Sequence, residues 1–328
     1  MTYNRRSFLK QAGLGVAAAY LAPSFLSCAS EPPSQKALLS EVGLQLFTLR
    51  DQLAADAIPT LARVAEIGYN HVETFGPEID ADGQVRFWGL SVSELSEQLQ
   101  ATGLKSYSGH YDLADFLTLG NGDDEKLKIH LDTASKLGQQ YVIVPIPPIP
   151  LLDSMTSEHY RFMADQLNKA GALAAQAGLK IGYHNHFWEF RTLEDGSKGL
   201  DILLSHTEKD LVVFELDLFW SEKSGNDSAA FFEKYPGRFP LWHIKDMDKS
   251  NTETVTGPDY DKRPAMEITS EITYAEVGTG SIDFKKIMGE KETAGLQYVF
   301  VEQDIITIDP YESIKTSYDY VKTELLNR

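Results

Sequence analysis

The sequence predicts an α/β protein folded as one (β/α)8 TIM barrel, and three observations carry that expectation. From about residue 40 onward, short β-rich runs alternate with helix-length amphipathic segments, eight times in all. Glycine stands where helix gives way to strand, at Gly68, Gly138, Gly178 and Gly295, the place for a left-handed helix end. Finally, the stretch Leu44-Gln45-Leu46-Phe47-Thr48-Leu49-Arg50 after the first strand has no phosphate-cradling glycine loop, so a doubly wound sheet is disfavoured.

Taken in order, strands are expected at 42–48, 70–75, 105–110, 141–145, 180–187, 211–218, 241–245 and 298–302. Helical periodicity covers 58–67, 92–101, 125–137, 160–177 and 309–325. Eight strand–helix units over residues 41–328 match the size and order of a closed barrel. Two segments break the rhythm. The proline-rich run 145–150 reads as a stiff extended loop over the barrel mouth, and the polar stretch 247–277 is too long for an ordinary connection. Such a loop on the catalytic face reads as a lid or a substrate wall. Residues 278–283 read as the start of the next helix, with Ser281 as its N-cap.

The first residues read as an address. Asn4-Arg5-Arg6-Ser7-Phe8-Leu9-Lys10 followed by an apolar run broken at Pro23 has the form of a twin-arginine export signal. That run is too short, and too one-sidedly basic, for a mature spanning helix. Phe25-Leu26-Ser27-Cys28 resembles a lipobox, which predicts lipidation at Cys28; the bland alternative is an inert cysteine after an ordinary cleavage site. The expected organisation is a signal peptide at 1–28, a tether at 29–40 and a catalytic barrel at 41–328. The product would be periplasmic or membrane-anchored in a Gram-negative bacterium, touching membrane only through an N-terminal lipid anchor.

With 30 basic against 48 acidic residues the net charge is −18, which repels a phosphate backbone and argues against nucleic acid as a partner. The single cysteine excludes an intrachain disulfide framework and any cysteine-based zinc cluster. A homo-oligomer is left open.

Chemistry gathers at the strand ends. Strand two ends in Glu73, strand three in His110, and strand five in His184-Asn185-His186 with Glu189 beyond. Strand six contributes Glu215 and Asp217, strand seven His243, Lys245 and Asp246, and strand eight Glu302. Side chains two apart share a face, so His184 pairs with His186, Glu215 with Asp217, and His243 with Lys245. Imidazoles and carboxylates converging without cysteine suit one divalent ion, Mn²⁺, Co²⁺, Mg²⁺ or Zn²⁺. Trp188 and Trp220, just past strand ends, are candidates for stacking on a sugar, or for packing. His71, His130, His159 and His206 read as surface or helix residues.

The motifs Tyr183-His184-Asn185-His186-Phe187-Trp188-Glu189-Phe190, Phe214-Glu215-Leu216-Asp217, His243-Ile244-Lys245-Asp246, Gly278-Thr279-Gly280-Ser281-Ile282-Asp283-Phe284 and Val301-Glu302 resemble the xylose isomerase-like barrel superfamily. Its members include sugar phosphate isomerases/epimerases, ketose 3-epimerases, inosose dehydratase and endonuclease IV. An exported bacterial subgroup of the sugar phosphate isomerases/epimerases is similar down to its twin-arginine leader. The resemblance implies one metal held from strands five to eight; Asp217, His243 and Glu302 match, while His184 stands where ketose epimerases have glutamate. It also implies a carbohydrate substrate and proton abstraction beside a carbonyl, giving isomerisation or epimerisation. Some dehydratases of the superfamily carry a histidine-rich strand five, so elimination or hydration is the rival.

On this reading His186, His110 and Glu189 are the proton-transfer candidates, Lys245 stabilises the enediolate, and Glu73 binds a sugar hydroxyl. The bland alternatives are that His186 and Glu189 pair on the rim, that Lys245 balances Asp246 or Glu215, and that Glu73 bridges a loop. A non-catalytic sugar-binding lipoprotein would show aromatic walls without a metal shell. An endonuclease-like phosphodiesterase would need more ligands than are matched.

Overall fold

A computed structural model describes residues 39–326; the expectations for the leader, for Cys28 and for nearly all of the tether lie outside the described residues. Eight parallel strands close a barrel: β1 (Gly43–Gln45), β2 (His71–Phe75), β3 (Lys105–His110), β4 (Tyr141–Val144), β5 (Lys180–His184), β6 (Val212–Asp217), β7 (Leu241–Ile244) and β8 (Tyr298–Val301). Each pairs with its neighbours in sequence, and β8 returns to β1 through Gly43↔Phe300 and Leu44↔Val301. The predicted helices are present as Ala57–Ile67, Val92–Thr102, Glu125–Lys136, Ser157–Gln176 and Pro310–Tyr320, the last continuing as a wider π-helical turn. Gly68, Gly138, Gly178 and Gly295 all have positive φ.

Strand alternation divides the side chains between two cores. Leu44, Val72, Val142, Ile181, Phe214 and Trp242 point outward and pack under the helices. Inward, Tyr107, Tyr141, Ile143, Val213, Leu241, Tyr298 and Phe300 fill the amino-terminal end of the barrel. That floor also holds His71, a correction to its reading as a surface residue. Its ring is fully buried against Tyr107, Tyr298 and Phe300, and burial lowers its pKa to about 3. His130 does lie on a helix but is buried, its Nε2 bonded to the Asp112 carbonyl. The β2–β3 ladder has a bulge: Val72 pairs with Ser106 and Glu73 with Ser108, leaving Tyr107 as the extra residue. The bulge shifts alternation by one, so Tyr107 and His110, three apart, both face inward.

Where the sequence reading differs, local hydrogen bonding explains it. Strand one stops at Gln45 because its side chain caps a 3-10 helix at Leu46–Leu49, accepting from Phe47 N at 3.0 Å. Strand five stops at His184 because the chain turns into the 3-10 helix Trp188–Phe190. A small antiparallel sheet of Glu78–Ile79, Val85–Phe87 and Leu90–Ser91 follows β2, with no counterpart in the sequence reading. The proline run is not wholly extended, since Pro150 sits in a 3-10 turn at Ile149–Leu151, where its fixed φ is at home.

The 247–277 excursion is also structured. Asp246–Met247 pairs antiparallel with Tyr274–Ala275, and a helix spans Ala265–Ser270. Asp153, on the connection after β4, accepts from Ala265 N at 2.7 Å and from Arg191 at 3.1 Å, tying the excursion to the opposite side of the mouth. The Asp246 carboxylate accepts from the backbone N–H groups of Met247, Gly278, Gly280 and Ile282. A Cβ on Gly280 would lie 2.3 Å from that carboxylate, so the glycine-rich turn is shaped to receive Asp246. The following helix is capped by Asp283 rather than Ser281, whose hydroxyl donates instead to the Met247 carbonyl.

Gly43 is required by close approach. A Cβ there would meet His71 Nε2 at 2.4 Å and a Phe300 ring carbon at 2.6 Å. Gly43→Ala is therefore expected to lower unfolding stability by about 1–3 kcal/mol through overpacking, read as a lower urea midpoint; an unchanged midpoint would contradict the packing of the floor.

Candidate metal and active site

Above that floor the barrel interior becomes polar, in two layers. The deep layer comprises Gln45, Glu73, His110 and Glu215. Gln45 Nε2 donates to Glu73 Oε2 at 2.8 Å, and His110 Nε2 lies 3.1 Å from that oxygen and 2.8 Å from Glu215 Oε2. The mouth layer comprises Asp217, Lys245, Glu302 and Asp304, each at or past a strand's carboxyl end. The Lys245 ammonium lies 3.2 Å from Asp217 Oδ2, 2.9 Å from Glu302 Oε2 and 2.9 Å from Asp304 Oδ2.

His184 and His243 join the layers, each using both ring nitrogens. His184 Nδ1 is 3.1 Å from Glu215, while Nε2 faces Asp217 at 3.7 Å. His243 Nε2 is 2.7 Å from Glu73 and 3.1 Å from Glu215, while Nδ1 is 2.8 Å from Glu302. His184, Asp217, His243 and Glu302 thus each offer a donor atom within 4.8 Å of the others. His110, His184, Glu215 and His243 form a second such group by the same measure.

Local sequence explains the placement. The side-chain amide of Asn185 pairs with both backbone groups of Asp217, accepting from its N–H at 3.0 Å and donating to its carbonyl, so the middle residue of His-Asn-His fixes the end of β6. Asp217 Oδ1 caps the helix Leu218–Lys223 by accepting from Trp220 N, which leaves Oδ2 for the mouth. Glu302 follows β8, and its N–H donates to the Ile244 carbonyl.

The donor set suits a divalent ion of the hard-to-borderline kind. Glu73 Oε1 and Glu215 Oε1 are buried with no hydrogen-bond partner, so the cluster holds more anionic oxygen than its N–H groups satisfy. Burial raises the Asp217 carboxyl to about 6, against the pull of Lys245 and His243. Burial works against charge on Lys245 too, but Asp217, Asp304 and Glu302 more than offset it and keep the ammonium charged.

Several sequence expectations change role. Glu73 cannot bind a sugar hydroxyl: it is fully buried beneath His243, in the deep layer. His110 is held between two buried carboxylates rather than facing substrate, and Glu189 is not on the rim. Burial raises Glu189 to about 7, and its carboxylate accepts from Tyr183 OH at 2.6 Å and from His186 N at 2.8 Å. It therefore shapes the turn that carries His186. Lys245 balances Asp217, Glu302 and Asp304, not Asp246 or Glu215. Trp188 and Trp220 are buried, Trp188 stacked on the His186 ring at 4.4 Å and Trp220 against Phe187 and Phe219, so their surfaces are taken up by packing.

His186 is half-buried, and burial together with Lys245 holds its ring neutral. Gln45, Asp304 and Tyr274 were missed. Gln45 precedes a helix-like turn, Asp304 lies in a loop, and Tyr274, whose ring stands 5.9 Å from Lys245, arrives from the excursion. Only an amide on the inward face of the first strand could have signalled any of them.

Burial opposes protonation of His110, but Glu73 and Glu215 override it and raise its pKa to about 9. In the metal-free protein the imidazole should titrate near 9 by ¹H–¹⁵N NMR. Its folded pKa exceeds the unfolded value of about 6.5, so its contribution to stability is complete below that value and is lost as pH rises through about 9. A midpoint at or below 6.5 would contradict the carboxylate cradle.

Inosose dehydratase from Clostridium perfringens is 29% identical over 179 residues, covering 53% of this chain; the chain spans 58% of that relative's length. A sugar phosphate isomerase/epimerase from Parabacteroides distasonis superposes with a TM-score of 0.71 at 23% identity, over 93% of this chain and all of that one. A zinc-binding IolI protein superposes with a TM-score of 0.63 at 17% identity, over 88% of this chain and all of that one. These two structures bear on the fold. Residues 61–310 match the xylose isomerase-like TIM barrel family, and the chain belongs to it.

Proposed function

We propose that this protein is a divalent-metal-dependent carbohydrate isomerase or epimerase that removes the proton next to a carbonyl of a free sugar, keto-sugar or glycoside. The observation that carries the proposal is the convergence of His184, Asp217, His243 and Glu302 at the barrel mouth, with a neutral imidazole beside it: the His186 ring is 5.0 Å from that of His184. His184, Asp217, His243 and Glu302 would hold the ion, which supplies Lewis-acid polarisation of the substrate oxygen.

The remaining steps belong to side chains. His186, fixed by its stack on Trp188, takes the proton from carbon. The electron pair of the broken C–H bond moves toward the carbonyl oxygen as an enediolate. Lys245 exchanges one carboxylate partner for that oxygen and stabilises its charge. Asp304 and Tyr274 steady the ammonium meanwhile. Return of the proton from His186 to the neighbouring carbon, as a hydroxyl proton passes between the enediolate oxygens, gives the isomer; an epimer requires a second acid to protonate the opposite face while His186 keeps its proton.

A second reading has its own support. With histidine in place of glutamate on β5, and relatives named inosose dehydratase, the same enediolate can expel a β-oxygen. That oxygen leaves with the proton His186 carries, making the protein a carbon–oxygen lyase of 3-keto-sugars or 3-keto-glycosides; hydration is the reverse. The twin-arginine leader supports export to the periplasm, where free rather than phosphorylated sugars are met.

The experiment is incubation of metal-loaded protein in D₂O with free sugars, 3-keto-sugars and 3-keto-glycosides, followed by NMR. Deuterium should enter beside the carbonyl, and Asp217→Asn should slow this by at least about a hundredfold. Recovery of an isomer supports the first reading and loss of water or aglycone the second. Metal-independent exchange, or none with any substrate, would contradict both.

A further inference from the structure

Glu215 was set beside the metal ligands by the sequence but given no task. The structure gives it an unusual position: a single carboxylate oxygen, Oε2, has three imidazole nitrogens around it, His110 Nε2 at 2.8 Å, His184 Nδ1 at 3.1 Å and His243 Nε2 at 3.1 Å. Glu215 itself is fully buried, and it sits directly opposite His184 in the β5–β6 ladder, two residues deeper than Asp217. Its other oxygen, Oε1, has no hydrogen-bond partner. A fully buried carboxylate with one oxygen unpaired costs stability, which the three imidazoles on its other oxygen offset.

We propose, resting on the metal-dependent reading above, that Glu215 is a positioning residue for the metal centre. By accepting from His184 Nδ1, and by standing 3.1 Å from His243 Nε2 beside the Glu73 oxygen that accepts from it, Glu215 helps fix both rings so that His184 presents Nε2 beside Asp217 and His243 presents Nδ1 beside Glu302. The two nitrogens offered to the ion are therefore of different kinds, and Glu215 bears on both, sharing His243 with Glu73. A ring nitrogen's partner on the far side sets which nitrogen is free to ligate, and it also raises the ligand's basicity.

Glu73 has a narrower part. It reaches His243 Nε2 and His110 Nε2, at 2.7 and 3.1 Å, and makes no contact with His184. Glu215 alone acts on both metal-facing imidazoles. His110 bridges the two carboxylates and completes the cradle from the β3 side.

This separates Glu215 from a ligand. Glu215 lies two residues before the end of β6, beneath Asp217, and its Oε2 is taken up by three imidazole nitrogens. At the mouth, His184 Nε2 and Asp217 Oδ2 stand 3.7 Å apart, wider than a hydrogen bond and a spacing that two atoms sharing an ion can have.

The test uses Zn²⁺ as the probe with wild type, Glu215→Gln and Glu73→Gln. Calorimetry gives affinity, two-bond ¹H–¹⁵N spectra of the zinc-loaded proteins report which histidine nitrogen is metallated, and circular dichroism verifies folding. Wild type should carry zinc on His184 Nε2 and His243 Nδ1. Glu215→Gln should bind zinc about 10–100-fold more weakly, with the signals of both histidines displaced. Glu73→Gln should displace those of His243 and leave His184 unchanged. Zinc on His184 Nδ1 in wild type, or unchanged affinity and unchanged His184 signals in a folded Glu215→Gln, would overturn the proposal. Wild type that binds no zinc, manganese, cobalt or magnesium would overturn the metal-dependent reading itself, and this inference with it.

Discussion

The constraint on which the site depends is the sharing of two imidazoles between two levels of buried carboxylate. His184 and His243 each face a deep anion with one nitrogen and a mouth anion with the other. Glu73, Glu215, Asp217 and Glu302 are nearly or wholly removed from solvent, and Lys245 and His110 are the cations set among them. Charges at such depth persist only where partners compensate for lost hydration. Metal-free, burial works against a second proton on His243, and Glu215 and Glu302 outweigh it, so the ring stays protonated and helps make up the balance. A divalent ion between Asp217 and Glu302 would take over that duty, which couples ligand binding to proton release.

The rest of the fold serves to hold those rings still. The aromatic floor, closed over Gly43 by the His71 ring, seals the barrel below the polar layers. The β3 bulge brings His110 to the inside. Asn185 fixes the end of β6, and Glu189 fixes the turn that carries His186. Above, Asp246 gathers the glycine turn and Asp153 ties the excursion across the mouth, bringing Tyr274 to Lys245. Binding residues on loops thus rest on a rigid scaffold.

Strand and helix order was legible because period-two and period-3.6 patterns are one-dimensional signals, and glycine marks the helix ends. That His184, Asp217, His243 and Glu302 gather in the barrel was legible for a related reason, since polar groups stood at strand positions where packing wants apolar ones; their choice as a ligand set came from the resemblance to the barrel superfamily. Depth was not legible. Glu73 and Glu302 both read as strand-end glutamates, yet the stagger of the barrel sets Glu73 level with Gln45 and under His243. Nor could sequence separate Trp188 and Trp220 as sugar platforms from their packing among aromatic neighbours. Asp304 and Tyr274 come from segments whose path is set by tertiary contacts, so no local pattern announces them. His71 was misread because a lone histidine at a strand start looks solvated until the strand's inward face is known.

The most direct test of the central claim is anomalous diffraction from crystals of the protein grown with Mn²⁺. The account predicts one strong peak bounded by His184 Nε2, Asp217, His243 Nδ1 and Glu302, with Glu215 outside the ligand sphere and bonded to both rings. A peak among His110, Glu215 and Glu73 instead, or none in crystals saturated with the ion, would contradict it.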